Sequence, residues 1–553
     1  MRRSLITLLL ASVLIVQFPA AYAQRKKAGK AAPVSVATQR GADVIAAAQL
    51  RDYLSFIASD EMEGRDTPSR GLDTTARFLA MNLSRWGLKP AGDTGSYFQS
   101  IALRRNRVDD TQTRVEVNGR TLLLGQDYIP ASTAGSATGQ LVFAGNGWYI
   151  KSKNIDAYKD IDAKGKIAVI FATPNSFPRG LTRANLVGKQ GEDWIGATEY
   201  ASKHGVIGII YVPDFQFLAN WNRNRQRTLE RGNTVVEKFQ TQGAARIPSI
   251  TISPELATSL FAGEMLGASA IFDRIYSGVE VPASFAMNPD KTLTLNIVVK
   301  NDTIGTQNVV AVWEGIDPVL KGEYVALGAH YDHVGLGTQK GDFIYNGADD
   351  DGSGTTALLA MAEALAHARL RPKRSVLFVW HAGEEKGLWG SRYFTDYPTI
   401  PLERIVTQLN IDMIGRSRKE GDPDPRNKDL SGPNDIYVIG SKMMSSELGE
   451  LSETVNKSFL NLNFDYRYDD PADPNRFFFR SDHYNYARKG VPIIFYFDGV
   501  HEDYHQPGDS ADKIDYSKME KVTRTIYMTL WEIANRPVRP KVDKQLPTEL
   551  TRQ

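Results

Sequence analysis

From about residue 290 onward, short apolar runs alternate with helix-like stretches, and this alternation limits the possible folds more than any other feature of the chain. The clearest helical stretch is GTTALLAMAEALAHARL, at residues 354–370. Alternation of this kind predicts an α/β fold, with a mainly parallel mixed sheet flanked by helices. The strand-like runs are TLNIVVK, NVVAVWEG, YVALGAH, SVLFVWHA, VTQLNIDMIG and VPIIFYFDG.

The polar residues capable of chemistry in this half of the chain follow directly after those strands. Ligands of such folds collect beyond the carboxyl ends of the strands, so we expect these side chains to lie close together. Because the chain has no Cys, any metal must be held by His and carboxylates. Two His with several carboxylates suit a pair of divalent ions such as Zn²⁺. The candidates are His330, Asp332, Asp349, Asp350, Asp351, Glu384, Glu385, Asp412 and His505.

Five short motifs, taken in their order along the chain, resemble the M28 family of co-catalytic zinc aminopeptidases. The resemblance covers roughly residues 290–535, and any one of the motifs alone would be a weak signal. The motifs are His330-Tyr331-Asp332, the glycine-flanked acidic run from Gly347 to Gly354, Glu384-Glu385, Asp412-Met413-Ile414-Gly415 and Tyr504-His505.

The resemblance implies a role for each of these positions. His330 and Asp412 would bind one zinc ion, Glu385 and His505 the other, and Asp350 would bridge both. Asp332 would orient His330, since a ligating histidine usually donates its other ring nitrogen to a neighbour. Glu384 would be the general base, and the substrates would be peptides with a free N-terminus. The family's zinc exopeptidase fold agrees with the α/β prediction.

Other polar residues near these motifs have less specific interpretations. Asp482, His483 and Tyr484 resemble a family segment that supports the site, and Tyr484 is a candidate oxyanion donor because Phe478 stands where some members have Tyr. Asp349 and Asp351 are expected to cap the following helix, where carboxylates are favoured. His333, three residues past His330, could compete as a ligand, although we expect a supporting or surface position. His381 and His501 are expected to form local hydrogen bonds.

The N-terminus has the pattern of a secretory signal peptide at residues 1–23. Arg2 and Arg3 precede an apolar run, and Ala21-Tyr22-Ala23 is a small-x-small cleavage site. A transmembrane anchor is the alternative, but the run is short for a span. We therefore expect export to the periplasm or the medium, with no stable membrane anchor after cleavage. Residues 24–42 read as a flexible linker and 538–553 as a polar tail.

The remaining chain divides into three predicted units. Residues 43–134 contain helical and strand-like stretches that would pack on the main domain, which covers residues 289–537. Residues 135–288 alternate short apolar runs with polar loops and contain one His, His204. They resemble a β-rich protease-associated domain, which in the family lies near the mouth of the active site without taking part in catalysis.

The net charge of the chain argues against nucleic-acid binding. The formal charge of +2 becomes zero once Arg2 and Arg3 leave with the signal peptide, and nothing indicates a nucleic-acid partner. The expected function is that of an exported di-zinc aminopeptidase, with other divalent ions possible in place of zinc. A carboxypeptidase or a glutaminyl cyclase-like enzyme on the same fold is an alternative. A non-catalytic, receptor-like binding module is another, although such a relative would be expected to lose ligands.

Overall fold

The computed structural model describes residues 36–174, 176–240, 247–276 and 282–546. The predicted signal peptide and the linker residues 24–35 lie outside the described residues. The N-terminal elements are α1 (Val36–Gln39), α2 (Ala47–Ile57), α3 (Arg70–Arg85), β1 (Lys89–Pro90) and β2 (Phe98–Val108).

The middle of the chain consists mostly of short strands. The strands are β3 (Arg114–Val117), β4 (Arg120–Thr121), β5 (Tyr128–Pro130), β6 (Gly135–Phe143), β7 (Tyr149–Ile150), β8 (Ile155–Asp156), β9 (Ile167–Phe171), β10 (Trp194–Ile195), β11 (Gly208–Val212), β12 (Asn233–Val236), β13 (Ser249–Ile252), β14 (Phe285–Ala286) and β15 (Thr292–Ile297). The helices are α4 (Ala197–Lys203), α5 (Phe215–Ala219), α6 (Trp221–Gln226), α7 (Pro254–Phe261) and α8 (Ala268–Tyr276).

The C-terminal part alternates strands and longer helices, as its sequence pattern predicts. Its strands are β16 (Val299–Trp313), β17 (Tyr324–His330), β18 (Gly335–Leu336), β19 (Ile344–Tyr345), β20 (Ser375–His381), β21 (Ile405–Ile411), β22 (Asp435–Ile439), β23 (Asn463–Asp465) and β24 (Ile493–Phe497). Its helices are α9 (Gly354–His367), α10 (Trp389–Asp396), α11 (Ser446–Ser458), α12 (His483–Ala487) and α13 (Tyr516–Asn535).

The main sheet has ten strands in the order β12-β2-β16-β20-β17-β21-β24-β22-β23, with β1 paired to β16. Its four central strands, β20, β17, β21 and β24, run parallel to one another. Towards either side, β16 and β22 join antiparallel, so the sheet is mixed and parallel mainly at its centre. The α/β fold class predicted from the sequence is confirmed.

Apolar cores cover both faces of the main sheet. Every residue of β20 and β21 is buried, which explains why neither strand alternates apolar with exposed polar residues, although β21 also buries Thr407, Gln408 and Asn410. Leu327 and Phe378 point into the core with α9 and α13. Their neighbours Ala326 and Leu377 point into the core on the opposite face. Burial on both faces fixes the strand ends, and hence the positions of the residues that follow them.

A second sheet of nine strands has the order β4-β3-β15-β6-β9-β11-β13-β5, with β14 paired to β6. It includes β3 to β5 and β15, which lie outside the predicted insert at 135–288, while β12 from inside that range pairs with β2 of the main sheet. The run TLNIVVK was predicted as one strand of the main domain. The structure ends β15 at Ile297 and starts β16 at Val299, so the chain passes there from one sheet to the other. The identification of this unit as a protease-associated domain stays a prediction.

Both chain ends of the described structure pack on the main domain. Residues 36–42, predicted as the end of a linker, contain α1, and Ala42 is fully buried. Arg40 pairs with Glu532 of α13 at 2.6 Å. In the predicted tail, the backbone N–H of Lys541 donates to Glu447, whereas residues 547–553 lie outside the described residues. None of the helices that the structure describes combines the length and the apolar character needed to span a bilayer.

Candidate metal and catalytic centre

The predicted ligands meet at one edge of the main sheet. His330 is the last residue of β17, Asp412 directly follows β21, and Glu385 lies four residues beyond β20. His505 comes from the loop after β24, and Asp350 from the turn Ala348–Ser353, which leads into α9 and whose backbone is not helical at Asp350 and Asp351. Because β17, β20, β21 and β24 are parallel, their carboxyl ends share this edge.

Asp350 lies between two groups of donor atoms. Its Oδ1 is 3.2 Å from Nε2 of His330, and the same ring nitrogen is 3.5 Å from Oδ1 of Asp412. Its Oδ2 is 3.1 Å from Nε2 of His505, which in turn is 3.0 Å from Oε1 of Glu385. The two oxygens of one carboxylate therefore face different groups, the arrangement that a bridging ligand requires.

The donor atoms of the second group fit a divalent cation. Oε1 of Glu385 and Nε2 of His505 are buried and have no hydrogen-bond partner, although they lie close together. Buried polar atoms are rarely left unpaired. Around an ion with bonds of about 2.0–2.2 Å, neighbouring ligand atoms are about 2.8–3.6 Å apart for angles of about 90–109°, a range that includes the 3.0 Å between these two atoms. A cation at the meeting point of these atoms would satisfy both.

Glu384 lies at the His330 side of the centre, apart from the second group. Its Oε2 is 3.9 Å from Nε2 of His330, and its side chain keeps 12% of its exposure. Burial, together with the charges of Glu385 and Asp412, raises the pKa of Glu384 well above its usual range, and His330 opposes this shift. A carboxylate with a raised pKa at the open side of a cluster suits proton transfer.

Asp332 holds the site together in a different way from the one expected. Nδ1 of His330 is 3.1 Å from the backbone oxygen of Asp332 and 3.7 Å from its carboxylate. The carboxylate instead accepts a hydrogen bond from the backbone N–H of Glu384 at 3.1 Å. Asp332 thus links the loop after β17 to the loop after β20, and its carbonyl is the closest partner of the His330 ring.

The two neighbours of Asp350 differ in what they bind. Asp351 accepts from the N–H of Gly354, the first residue of α9, so the predicted cap is present, and it also accepts from Met413 and His330. The capping prediction for Asp349 is wrong. Its carboxylate accepts from the N–H of Gly415 at 2.7 Å and lies 3.3 Å from Nε2 of His501, because the turn before α9 directs it towards the loop after β21.

The segment 482–484 lies beneath the centre. Asp482 is 3.2 Å from Nδ1 of His381, whose Nε2 is 3.0 Å from the Tyr486 hydroxyl. His483 is buried and stacked on Phe495, and both of its ring nitrogens lack a hydrogen-bond partner. The hydroxyl of Tyr484 is also buried without a partner, so the structure gives its predicted role as an oxyanion donor no contact with a ligand residue.

His333 occupies a supporting position, one of the alternatives that the sequence left open. A surface location is wrong, because the residue is fully buried. Its Nδ1 is 2.9 Å from Oε1 of Glu385 and 3.7 Å from Oδ2 of Asp350. Its position three residues after His330 was the only available signal, and spacing alone could not tell which way the loop turns.

Arg65 is a supporting residue that sequence reasoning missed. Its buried guanidinium donates to the carbonyl of Tyr331 at 2.9 Å and to those of Asn346 and Gly347 at 2.7 and 2.8 Å. It also donates to the carbonyl of Ile57 at 2.7 Å, at the end of α2. One side chain therefore ties the loops that carry His330 and Asp350 to the N-terminal helices. Arg65 stands in a polar loop without any sequence signal of this role.

Asp509 positions the backbone on which Asp350 sits. Its carboxylate accepts hydrogen bonds from the N–H groups of Asp349 and Asp350, at 3.0 and 3.1 Å. The residue lies four positions after His505 in the same loop, so that loop supplies both a candidate ligand and a support for the bridging residue.

A third cluster, His501, Glu502 and Asp503, is neutralised by protein cations rather than arranged for a metal. Arg416 contacts both Glu502 and Asp503 at 3.1 Å, and Lys513 lies 2.8 Å from Asp503. Its carboxylates already have charged partners.

Residues 308–530 match the family model described as Peptidase family M28. The resemblance predicted from the motifs is confirmed over that range. Leucine aminopeptidase 2 of Arthroderma otae is 27% identical over 291 residues, covering 48% of this chain and 52% of the relative. A probable zinc metalloprotease of Pyrenophora teres f. teres is 28% identical over 248 residues, covering 39% of this chain and 50% of the relative. This chain therefore spans about half the length of these curated relatives.

Among solved structures, the aminopeptidase from Aneurinibacillus sp. strain AM-1 superposes with a TM-score of 0.52. The match covers 91% of this chain and 98% of that structure at 16% sequence identity. Agreement at this level concerns the fold, and it extends beyond the main sheet to most of the chain.

Proposed function

Since residues 308–530 match peptidase family M28, we propose that this chain is an exported aminopeptidase that holds two Zn²⁺ ions. In this proposal His330 and Asp412 hold one ion, Glu385 and His505 hold the other, and Asp350 bridges them. The observation that carries the proposal is the position of Asp350, whose two oxygens lie 3.2 and 3.1 Å from histidines of different groups.

Different side chains transfer the proton and hold the site in place during hydrolysis. When bound, the ions polarise the peptide carbonyl and make water more acidic. Glu384 takes a proton from the attacking water as the bond from oxygen to the carbonyl carbon forms, and delivers it to the leaving amine as the C–N bond breaks. Asp332 holds the backbone of Glu384, and Asp351 and Asp509 fix the segments that carry His330 and Asp350.

Cleavage from the N-terminus, rather than another hydrolysis, is supported by the similarity to leucine aminopeptidase 2 of Arthroderma otae. Intact candidate ligands and base weigh against the receptor-like alternative. Export is supported by the pattern of residues 1–23, and mass spectrometry of the purified protein is expected to find Gln24 as its first residue. An intact Met1 on protein from the cell exterior would contradict that part of the proposal.

The test compares three small substrates with the zinc-loaded protein. We expect release of the chromophore from leucine p-nitroanilide and none from its N-acetyl derivative, because the proposal requires a free amine. Cleavage of a substrate with a free carboxylate and a blocked amine would favour the carboxypeptidase alternative. Loss of ammonia from an N-terminal Gln peptide, without loss of a residue, would favour the cyclase alternative.

A further inference from the structure

His333 is held rigidly at the second group of donor atoms. It follows His330 by three residues, and its backbone N–H donates to the carbonyl of Arg65 at 3.2 Å. Its ring stands at 76° to the ring of His505, with 5.5 Å between the centroids. Four residues thus offer one atom each within 4.8 Å of one another: His333, Asp350, Glu385 and His505.

The short contact between His333 and Glu385 lies within ion-pair distance but lacks the angles of a hydrogen bond. Nδ1 and Oε1 are 2.9 Å apart, yet both atoms lack a hydrogen-bond partner, as does Nε2 of the same ring. A fully buried imidazole without partners costs free energy relative to its hydrated state. A cation shared by Nδ1 and Oε1 removes that cost for both atoms, and their separation fits neighbouring ligands of one ion.

The first group is poorer in available donors. His330, Asp351 and Asp412 lie together there, but the Asp351 carboxylate already accepts three backbone N–H groups, from His330, Gly354 and Met413. That leaves His330, Asp412 and the shared Asp350. Glu384 borders this group, 3.9 Å from His330.

We propose that His333 is a fourth protein ligand of the second ion, so that the two ions are held unequally. Four protein donors close the second site, whereas three donors leave the first site one open position beside Glu384. Closed four-ligand sites are typical of structural zinc, and three ligands with an open position are typical of catalytic zinc. The inference rests on the two-ion centre of the proposed function.

The experiment titrates the metal-free protein with Zn²⁺ at buffered free concentrations and counts bound ions by elemental analysis. The wild type is expected to fill in two separated steps. In His333→Ala the affinity of the tighter step is expected to fall by at least about tenfold. Loss of a residue that supports a ligand costs about 10–100-fold in metal affinity, and loss of the ligand itself should cost no less. His204→Asn, which removes an imidazole directly after α4 in the middle part of the chain, is the control and should leave both steps unchanged.

Cobalt gives a readout independent of zinc counting and of activity. The first Co²⁺ equivalent bound to the wild type is expected to give the intense visible absorption of a four-coordinate site, and His333→Ala should lose it. His333→Asn, checked by circular dichroism, serves if the Ala variant does not fold. Two wild-type steps that remain unchanged in a folded variant overturn the role of His333 alone. A wild type that binds fewer than two ions overturns the two-ion proposal as well.

Discussion

Glu384 and Glu385 leave strand β20 side by side, yet their carboxylates lie in different surroundings. Consecutive side chains of an extended chain point in different directions. Glu385 reaches His505 at 3.0 Å and His333 at 2.9 Å, within the second donor group. Glu384 lies 3.9 Å from Nε2 of His330, at the side that keeps some exposure. The neighbouring residues are therefore suited to different tasks.

Replacing each glutamate by glutamine separates those tasks. Glu384→Gln keeps the shape and removes the base, so we expect unchanged metal content and a loss of about 10²–10⁴-fold in kcat. Glu385→Gln should lower metal affinity as well as activity, because it weakens a ligand. Elemental analysis and steady-state kinetics on both variants give the answer. If Glu384→Gln emptied the centre while Glu385→Gln kept both ions, the two roles would be reversed.

His483 makes stability depend on pH. Burial lowers the pKa of its imidazole to about 3, from an ordinary value near 6.5. The folded state therefore binds this proton less readily than the unfolded chain, and stability is lost as the pH falls below about 6.5 towards 3. His483→Phe removes the titrating group and keeps an aromatic ring on Phe495.

For this variant we expect a weaker fall in the free energy of unfolding on acidification, by about 2 kcal/mol at pH 5. Denaturant titrations of both proteins at pH 7.5 and pH 5 measure the difference. His367→Gln, which changes a histidine whose side chain is 59% exposed, is the control and should follow the wild type. Equal pH dependence in His483→Phe and the wild type would show that another group carries the acid sensitivity.

At the scale of elements, Arg65 connects α2 to the loops after β17 and before α9. A lysine cannot reproduce its four contacts, because an ammonium group has three donors and no planar fork. We expect Arg65→Met to lower stability by more than about 3 kcal/mol, since it leaves buried carbonyls unpaired, and to lower metal affinity. Arg65→Lys should fall between Met and the wild type.

The matched control is Arg374, a second buried arginine at the opposite end of the sheet. It precedes β20, pairs with Glu323 at 2.7 Å and donates to the carbonyl of Ile533. Arg374→Met should therefore destabilise the fold while leaving the affinity of the remaining folded protein for Zn²⁺ unchanged. Equal loss of metal affinity in both variants would mean that Arg65 acts only through overall stability. Isothermal titration with Zn²⁺ at a temperature where all variants are folded makes the comparison.

How much the sequence predicts depends on whether the information is local. Mainly apolar runs predict β17, β20 and β21 well, because these strands are buried on both faces. Residues that follow the carboxyl ends of neighbouring parallel strands lie at one edge of the sheet, so His330, Asp350 and Asp412 are predicted to lie together. The change from the second sheet to the main sheet at Val298 was missed, because TLNIVVK reads as one strand and contains no Gly or Pro to signal a turn. Arg65 was missed, and the direction in which the His333 side chain turns was not predicted, for a related reason: the partners of both residues are distant in sequence.

At the scale of the molecule, the part of the chain that forms the second sheet also contacts the main sheet, in addition to the direct connection from β15 to β16. Strand β12, from the middle of the chain, extends the edge of the main sheet through β2. Arg183, also in the middle part, is close enough for its charge to lower the pKa of Tyr484, partly offsetting the rise caused by burial. The Arg183 loop therefore lies near the segment 482–484, and a position of the middle unit beside the mouth of the site stays a prediction.

If this loop restricts access without taking part in the chemistry, its effect should depend on substrate length. We expect Arg183→Ala to change kcat/KM for peptides of ten residues more than for leucine p-nitroanilide. Lys189→Ala, an exposed residue of the same unit paired with Glu192, should change neither. Equal effects of Arg183→Ala on long and short substrates would make the middle unit a contributor to stability rather than to access.

The central claim is that a two-ion centre at the carboxyl ends of β17, β20, β21 and β24 removes residues from the N-terminus of peptides. Its most direct test is to incubate the zinc-loaded protein with a mixed pool of peptides and to follow the products by mass spectrometry over time. We predict ladders in which residues disappear one at a time from the N-terminus, and none from peptides with blocked amines or with Glu384→Gln protein. Ladders from the C-terminus, or internal cleavage with no terminal loss, would contradict the account.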